Sequence, residues 1–287
     1  PLELAPGALQ AMAGVDLSQE RVVSILHSLG FKAEYAADGR LQVGVPSHRS
    51  EKDISIAPDI GEEVMRIYGY DKIEPKMPAA PLKPLFVNKP LRIEHKAQRL
   101  LAGSHGFVEV HNYGWTDDGW IAKIGFEPRR AIAFENPSAQ QNRLLRTTLV
   151  PNLLALVGQN RAHRDSFRLF ELGHVYQRND DGSCHEPTRL AGISYAQTDQ
   201  LPLEDHLRAV KGAIEDLARV IGGGAFTFSP SGAGDVPWQA VDCWVAVGRG
   251  DRELGGLGVL EGPILETVSP DGGQVVWFEL ALDELEG

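Results

Sequence analysis

Cysteine is scarce in this sequence of 287 residues, which contains only Cys184 and Cys243. Two cysteines cannot build the disulfide framework of a small secreted domain, and nothing near either of them has the spacing of a metal ligand. The scarcity is typical of proteins from a reducing compartment. The sequence therefore predicts a cytoplasmic protein.

Long apolar runs and an excess of basic residues are also missing. There is no run of 18 apolar residues and no basic and then apolar leader, so neither a membrane span nor a secretory signal is predicted. The formal net charge is −11, whereas a general nucleic-acid-binding protein usually carries a basic face. The chain begins at Pro1 in the middle of a pattern, and we expect it to be a piece of a longer polypeptide.

The first segment has the pattern of a small α+β module. Apolar residues at 22, 25, 26 and 29 have helical spacing and predict a helix from Ser18 to Leu29, stopped by Gly30. Alternating apolar and polar residues on both sides of Asp38-Gly39 predict a hairpin. A second helix is predicted over residues 60–68.

A proline-rich stretch from Pro75 to Pro90 follows this module. Each proline removes a backbone donor and fixes φ, so neither a regular helix nor a central strand is expected there. We place a linker at residues 78–90, between a first domain at 1–77 and a second at 91–287.

The second segment is predicted to be an antiparallel sheet with flanking helices. Most of its strand candidates are joined by short turns such as NDDG, GRGD and SPDGG, which favour antiparallel pairing. The predicted helices cover residues 91–104, 149–162 and 203–221. The predicted strands cover residues 107–115, 131–134, 167–177, 189–196, 226–228, 244–248, 253–259 and 274–282.

Four carboxylates lie just ahead of the apolar positions of the second predicted helix: Asp53, Asp59, Glu62 and Glu63. Asp59 and Glu62 have the spacing of a capping box, with Asp59 at the N-cap and Glu62 three residues later. The helix dipole also favours negative charge at this end. Because this interpretation leaves Asp53 unexplained, a metal site built from the four acids stays open as the alternative.

A distinctive order of residues surrounds these acids: Arg49, Asp53-Ile54, Asp59, Glu62-Glu63 and RIYGYDKI at 66–73. This order resembles the signature of the B5 domain of phenylalanine–tRNA ligase β subunits. In the second segment, ENPSAQQNRLLRTTLVPNLLALVGQN followed by FRLFELGHVY is similar to the central module of the same family. HLRAVKGAIEDL and VVWFELALDEL then follow in the family's order, so the resemblance covers nearly the whole chain.

The resemblance implies a winged-helix-like B5 domain at 1–77, followed at 91–287 by an antiparallel sheet like that of a class II aminoacyl-tRNA synthetase. In this family the module has lost its active site, so no catalytic residue is expected. The implied partner is the catalytic α subunit, which binds phenylalanine and ATP. The implied assembly is an (αβ)2 heterotetramer that charges tRNA(Phe) with phenylalanine.

The resemblance also implies a Mg2+ site at Asp53, Asp59, Glu62 and Glu63, shared with the α subunit. The four acids match the family's site residue by residue. Magnesium prefers hard oxygen ligands and rarely takes a complete cage from one chain. We therefore expect an incomplete cluster in the isolated chain, with Asp59 capping the helix.

Two motifs test whether the class II module could bind ATP. FRLFELG at 167–173 is similar to the class II motif f-R-x-E, but Glu171 falls one position late, which turns it to the opposite face of a strand from Arg168. The glycine run from Gly255 to Gly262 contains Glu261 and no arginine, although phosphate recognition relies on the arginine fork. Both motifs predict a non-catalytic chain.

Several features leave alternatives open. The basic segment from Arg143 to Arg168 could contact tRNA or could be a solvated or interface-paired face, and no histidine has metal-site spacing. The stretches GVLEGP and DVPWQAV lack the His-Pro pairs that the family usually carries. The alternative function is therefore a free-standing nucleic-acid-binding or regulatory paralogue, or an independent ligase on the class II scaffold.

One helix is predicted to lie at a subunit interface. In helix 91–104 the apolar residues Ile93, Ala97, Leu100 and Leu101 form a stripe. In the class II fold the helix that precedes the first long strand is the dimerisation element. At an interface, this stripe would form an exposed apolar patch in the isolated chain. The alternative is that the stripe packs on the sheet of its own unit.

Overall fold

The computed structural model describes residues 2–49, 53–84, 88–198 and 200–285. The chain divides into two compact units, Pro1–Pro84 and Leu85–Gly287, and both combine helices with antiparallel strands. Within the described ranges, no helix is both long enough and apolar enough to cross a membrane.

The first unit packs three helices against a three-stranded antiparallel sheet of order β1-β3-β2. Its elements are β1 (Leu2–Leu4), α1 (Ala8–Ala13), α2 (Gln19–Ser28), β2 (Lys32–Tyr35), β3 (Leu41–Gly44) and α3 (Ala57–Tyr68). A short 3-10 turn, Tyr70–Lys72, follows α3.

Local sequence explains most of this unit. The Ser18 hydroxyl accepts a hydrogen bond from the Arg21 backbone N–H at 3.3 Å and caps α2. Gly30, with φ of +85°, follows the end of α2, and Gly39, with φ of +81°, forms the hairpin turn. The helix over 18–29 and the hairpin are confirmed. β1 and α1 were not predicted, because elements of three and six residues are too short to show a periodic pattern.

The second unit contains a seven-stranded sheet of order β11-β12-β13-β14-β10-β7-β4, in which only β4 runs parallel to its neighbour. The helices of this unit are α4 (Lys89–Ser104), α5 (Asp118–Lys123), α6 (Val150–Asn160), α7 (Leu203–Ile221) and α8 (Gly262–Val268). The strands of the large sheet are β4 (Val108–Glu109), β7 (Ser166–His174), β10 (Thr188–Ala196), β11 (Thr227–Pro230), β12 (Trp244–Arg249), β13 (Arg252–Val259) and β14 (Gln274–Ala281). Two small ribbons pair β5 (Trp115–Thr116) with β6 (Leu144–Leu145) and β8 (Gln177–Arg178) with β9 (Cys184–His185), and a 3-10 turn spans Asp283–Leu285.

Both faces of the large sheet carry an apolar core. On one face, Phe170, Leu190 and Phe278 pack with buried side chains of α4 and α7. On the other face, Ile193 and Trp277 pack with buried side chains of α6 and α8. Because successive side chains on a strand alternate between faces, a strand covered on both sides is almost continuously apolar, as β10 and β14 are.

Two predicted elements have other bounds in the structure. The helix predicted at 91–104 begins two residues earlier, at Lys89, because Pro90 occupies the first helical turn, where its missing N–H has no partner to lose. The Asn88 side chain caps this helix by accepting from the Leu91 N–H at 3.2 Å. The long strand expected at 107–115 is instead two short strands, β4 and β5, which lie in different sheets.

The apolar stripe of α4 faces the core of its own unit. Ala97 and Leu101 are buried, and Ile93 and Leu100 are half-buried against the same core cluster, which includes side chains of α7. The prediction that this stripe forms an exposed apolar patch is therefore wrong. The stripe packs against α7 of the same chain.

We expect Gly192→Ala to destabilise the second unit by about 1–3 kcal/mol, the usual cost of overpacking a core. A Cβ at this position in β10 would lie 2.4 Å from Cε1 of Phe278 and 3.1 Å from the carbonyl oxygen of Leu169. Urea unfolding followed by tryptophan fluorescence measures this effect, because all five tryptophans lie in the second unit.

Gly158→Ala is the matched control for this substitution. Gly158 lies in α6, where an added Cβ meets no atom within 4 Å, and alanine is the better helix former by up to ~1 kcal/mol. The control should be neutral or stabilising. Equal unfolding midpoints for the two variants would contradict the close packing at Gly192.

Candidate functional site

Arg49 is the centre of the acidic cluster in the first unit. Its Nη1 and Nη2 donate to Oε2 and Oε1 of Glu63 at 3.3 and 3.0 Å, and its Nε donates to the carboxylate of Asp53. The guanidinium carbon lies 5.6 Å from the ring centroid of Phe31. This fork attaches the loop before α3 to the helix itself.

Glu63 lies in α3 and is only 7% exposed. Its Oε2 also accepts a hydrogen bond from Nη2 of Arg66 at 2.7 Å. The hydrogen bond from Arg49, supported by the one from Arg66, holds the pKa of the Glu63 carboxyl below its usual value despite burial. Glu63 is therefore an ionised and fully paired carboxylate.

Asp59 caps α3, but from a different position than predicted. Its Oδ2 accepts from the backbone N–H groups of Ser55 and Ile56 at 2.7 and 2.9 Å. These two hydrogen bonds lower the pKa of the carboxyl. The helix begins at Ala57, three residues before the predicted start, because Pro58 fits its first turn.

The predicted capping box of Asp59 with Glu62 is therefore wrong. Asp59 occupies the third helical position instead of the N-cap, and the residue at the N-cap is Ile56, which has no side-chain acceptor. Glu62 is exposed in the second turn of α3, too far along to reach the N-cap N–H.

The four acids do not form a complete metal cage. In the described ranges, no group of three or more His, Cys, Asp or Glu side chains is arranged to hold a metal ion. Glu63 gives both oxygens to arginines, and Asp59 gives one to the backbone. Asp53, whose side chain is 49% exposed, and the exposed Glu62 present carboxylates at the surface, so their chemistry suits Mg2+ only with ligands from elsewhere.

A buried ion pair occupies one face of the large sheet. Nη1 of Arg146 lies 2.6 Å from Oε1 of Glu171 in β7, and the two side chains are 6% and 2% exposed. Asn112 donates to the same carboxylate from its backbone N at 3.1 Å and from Nδ2 at 2.6 Å. Nε of Arg146 donates to the carbonyl of His174 at 2.9 Å. Both oxygens of Glu171, and Nε and Nη1 of Arg146, thus have partners inside the chain.

The side chains of Arg168 and Glu171 lie on opposite faces of the sheet, as their spacing in the sequence predicts. Nη1 of Arg168 donates to the carbonyl of His105 at 2.8 Å, and its guanidinium lies over the ring of Phe107. Phe107 belongs to the core on the α4 and α7 side, whereas Glu171 lies with Arg146 on the α6 side. The two side chains cannot act together on one nucleotide.

Glu279 was not singled out from the sequence, yet it fastens α6 to the sheet. The Thr148 hydroxyl donates to Oε2 of Glu279 at 2.8 Å, and the Leu149 N–H donates to Oε1 at 2.7 Å. Burial raises the pKa of this carboxyl. The only hint in the sequence is that an acid interrupts the apolar run VVWFELAL.

The glycines of the 255–262 run allow close packing of strands. A Cβ on Gly255 would lie 1.9 Å from the carbonyl oxygen of Glu279, and one on Gly258 would lie 2.6 Å from that of Cys243. These glycines are therefore required by close strand packing. Glu261 lies at the start of α8.

The basic segment does not form one patch. Arg143 pairs with Asp118, Arg146 is buried with Glu171, and Arg161 pairs with Asp271. His206 is buried, and its Nε2 lies 2.7 Å from Oγ of Ser194. These residues serve the fold of the second unit.

Comparison with known proteins covers both units. Residues 73–282 match the family model of the phenylalanyl tRNA synthetase beta chain CLM domain, and residues 2–70 match that of the tRNA synthetase B5 domain. A crystal structure of pyrrolysyl-tRNA synthetase from Desulfitobacterium hafniense is similar with a TM-score of 0.54 and 22% identity, covering 68% of this chain and 67% of that one. At this identity the likeness shows the fold alone, which is the class II synthetase type.

Curated relatives agree with the family models. The phenylalanine–tRNA ligase beta subunit of Geobacter sulfurreducens is 30% identical over 288 residues, covering 96% of this chain and 35% of the relative. That of Solibacter usitatus is 36% identical over 195 residues, covering 68% of this chain and 25% of the relative. The chain thus spans about a quarter to a third of the length of these relatives. It belongs to the phenylalanyl-tRNA synthetase beta chain family, of which it carries the B5 and CLM domains.

Proposed function

We propose that this chain is a non-catalytic region of a phenylalanine–tRNA ligase β subunit and supports assembly with the catalytic α subunit. The proposed assembly is an (αβ)2 heterotetramer in the cytoplasm that uses ATP to charge tRNA(Phe) with phenylalanine. Family membership supports the identity of the subunit. One structural observation supports the proposal that this chain is non-catalytic: helices of the chain cover both faces of the large sheet.

The chain's own side chains cover both faces of that sheet. α4 and α7 cover one face, and α6 and α8 cover the other, where Leu153, Ile193 and Trp277 are all 1% exposed or less. Two polar groups on the second face, Arg146 and Glu171, are bonded to each other. A nucleotide on this face would have to displace α6 and break a buried ion pair, which carries a large desolvation penalty.

We further propose the domain limits 1–77, 78–90 and 91–287 and a winged-helix-like B5 domain. Three short antiparallel strands packed with three helices in the first unit support this fold. Since the Pro75–Pro84 stretch contains no helix or strand, it supports a linker in this region.

We also propose that Asp53, Asp59, Glu62 and Glu63 form this chain's side of a Mg2+ site shared with the α subunit. Asp53 and Glu62 are the members with exposed carboxylates, so they would contact the ion, while Arg49 positions Asp53 beside α3. Bound Mg2+ would supply a hard cation that joins acids of two chains. Asp59 and Glu63 hold the helix and loop that carry these acids.

The purified chain should catalyse no phenylalanine-dependent exchange between ATP and pyrophosphate. Exchange should appear only when the α subunit is added, because α6, α8 and the Arg146–Glu171 pair cover the face of the sheet on which Glu171 lies. The α subunit alone and the chain alone are the two controls. Phenylalanine-dependent exchange by the chain without α subunit would refute the non-catalytic assignment.

Arg146→Met should lower the free energy of unfolding by about 3–5 kcal/mol, because it leaves Glu171 charged and buried without its cation. The double variant Arg146→Met, Glu171→Leu should recover most of this loss, since an apolar pair of similar volume often replaces a buried ion pair at little cost. Urea unfolding followed by tryptophan fluorescence measures both effects.

Arg143→Met is the control, because Arg143 forms an exposed ion pair with Asp118 and such pairs contribute less than about 1 kcal/mol. If Arg146→Met lowered the free energy of unfolding no more than Arg143→Met does, the buried pair of Arg146 and Glu171 would not stabilise this face of the sheet.

Asp53→Ala should leave the stability of the chain nearly unchanged but weaken its assembly with the α subunit in a Mg2+-dependent way. The Asp53 side chain is 49% exposed, so losing its ion pair with Arg49 costs at most about 1 kcal/mol. The measurement is complex formation with the α subunit by analytical ultracentrifugation across a Mg2+ titration.

Asp38→Ala is the matched control for this experiment. Asp38 also pairs with an arginine of the first unit, Arg40, and its side chain is 51% exposed. If the wild type and Asp53→Ala assembled equally at every Mg2+ concentration, Asp53 would have only its local role beside Arg49.

A further inference from the structure

Prolines recur at every third position in the segment that follows the 3-10 turn of the first unit. They are Pro75, Pro78, Pro81 and Pro84. A polyproline II helix has three residues per turn, so this period places all four rings on one side of such a helix. At a rise of about 3.1 Å per residue, the four rings span about 28 Å. Segment 75–84 therefore has the period of a polyproline II helix as well as the composition of a linker.

Backbone sterics favour this conformation over most of the segment. The proline ring fixes φ at about −65°, and the residue before a proline is driven out of the α region toward extended or polyproline II values. The prolines and the residues before them, at positions 74, 77, 80 and 83, together make up most of the segment. In the structure, residues 74–84 all lie outside helices and strands, as these restrictions predict.

The segment is open to a partner along its whole length. Every residue from 74 to 84 is exposed. Met77 is 94% exposed, although methionine is one of the residue types most often buried. A polyproline II helix has no internal hydrogen bonds, so the carbonyls of the segment can accept hydrogen bonds from another protein. Both the side chains and the backbone of the segment are thus presented to the surroundings.

The two lysines of the segment lie on different sides of such a helix. Nζ of Lys76 donates to the carbonyl of Gly14 at 3.1 Å, which attaches the start of the segment to the end of α1. Lys83 is exposed near the other end. With three residues per turn, Lys83 lies on the same side as positions 77 and 80, whereas Lys76 lies on the same side as positions 79 and 82.

We propose that residues 75–84 bind, as a polyproline II helix, to a partner protein whose groove is lined by aromatic side chains and has an acidic side chain at one end. Aromatic grooves recognise proline-rich segments because the polyproline II helix is formed before binding and loses little entropy. Met77-Pro78 and Ala80-Pro81 are two apolar pairs one turn apart that fit neighbouring pockets of such a groove. The positive charge of Lys83 pairs with the acid, and the side with Lys76 faces the solvent.

A spacer is the simpler role for a proline-rich segment, since such segments are semi-rigid. Stiffness alone requires neither a strict period of three nor an apolar residue before two successive prolines. It also does not require a lysine on the same side as those apolar residues. The proposal goes beyond assembly with the α subunit, because it assigns a further partner to the chain.

The test is a nuclear magnetic resonance titration with the whole 287-residue chain. The probe is a 15N-labelled SH3 domain that has an acidic side chain beside its aromatic groove. Signals of the groove residues should shift when the wild-type chain is added. The double variant Pro78→Ala, Pro81→Ala should raise the Kd at least about tenfold, because ordering even one freed backbone residue costs about that factor.

Two lysine variants test which side of the helix enters the groove. Lys83→Gln should raise the Kd about two- to fivefold, the usual contribution of an exposed ion pair. Lys76→Gln is the matched control and should keep the Kd of the wild type, because its side of the helix lies outside the groove. The circular dichroism spectrum and the urea midpoint should be unchanged in all variants, since residues 74–84 lie outside helices and strands.

Equal Kd values for the wild type and the double proline variant would overturn the proposal. So would groove signals that stay in place at about 1 mM chain, a concentration at which even a weak complex forms. If Lys76→Gln weakened binding as much as Lys83→Gln, the assigned side of the helix would be wrong. The shifts should persist when the α subunit is added. Their loss would show that the segment belongs to the interface with that subunit, and a separate partner would then be wrong.

Discussion

Two carboxylates on the same face of the large sheet determine how the second unit can fold. Glu171 and Glu279 lie opposite Ala191 from its two neighbouring strands. Water is largely excluded there, and a buried carboxylate without partners would cost several kcal/mol. Arg146 and the start of α6, at Thr148 and Leu149, supply the partners. The segment before α6 must therefore lie on this face, and α6 covers the sheet behind it.

The same arrangement pairs the polar groups of this sheet face with one another. Arg146 and the start of α6, which pair with the acids, lie on this face, so a ligand there would have to displace them. Arg168, the one arginine in the ATP-like motif, is committed to a carbonyl on the opposite face. Asp53 in the first unit and Arg92 in the second, by contrast, are exposed.

Sequence patterns predicted the elements whose stability is local. α7 occupies the predicted range 203–221 because its apolar positions recur at helical spacing over nineteen residues. β1 has only three residues and exists because it pairs with β3, which no local pattern shows. Asp59 was correctly identified as a capping residue but assigned to the wrong position, because Pro58 extends the helix. The burial of Arg146 was missed, since the partner of a charge depends on tertiary structure.

The charged side chains of the two units lie in different environments. In the first unit, Arg49 pairs with both Asp53 and Glu63, and the side chain of Asp53 is 49% exposed. In the second unit, Arg146 and Glu171 are buried and paired, so their opposite charges balance inside the chain. The exposed cations of α4, such as Arg92, are different, because α4 turns its apolar stripe inward to α7 and its charged face must then point outward. The helix packing that buries Ala97 and Leu101 is thus what places a positive surface on an acidic protein.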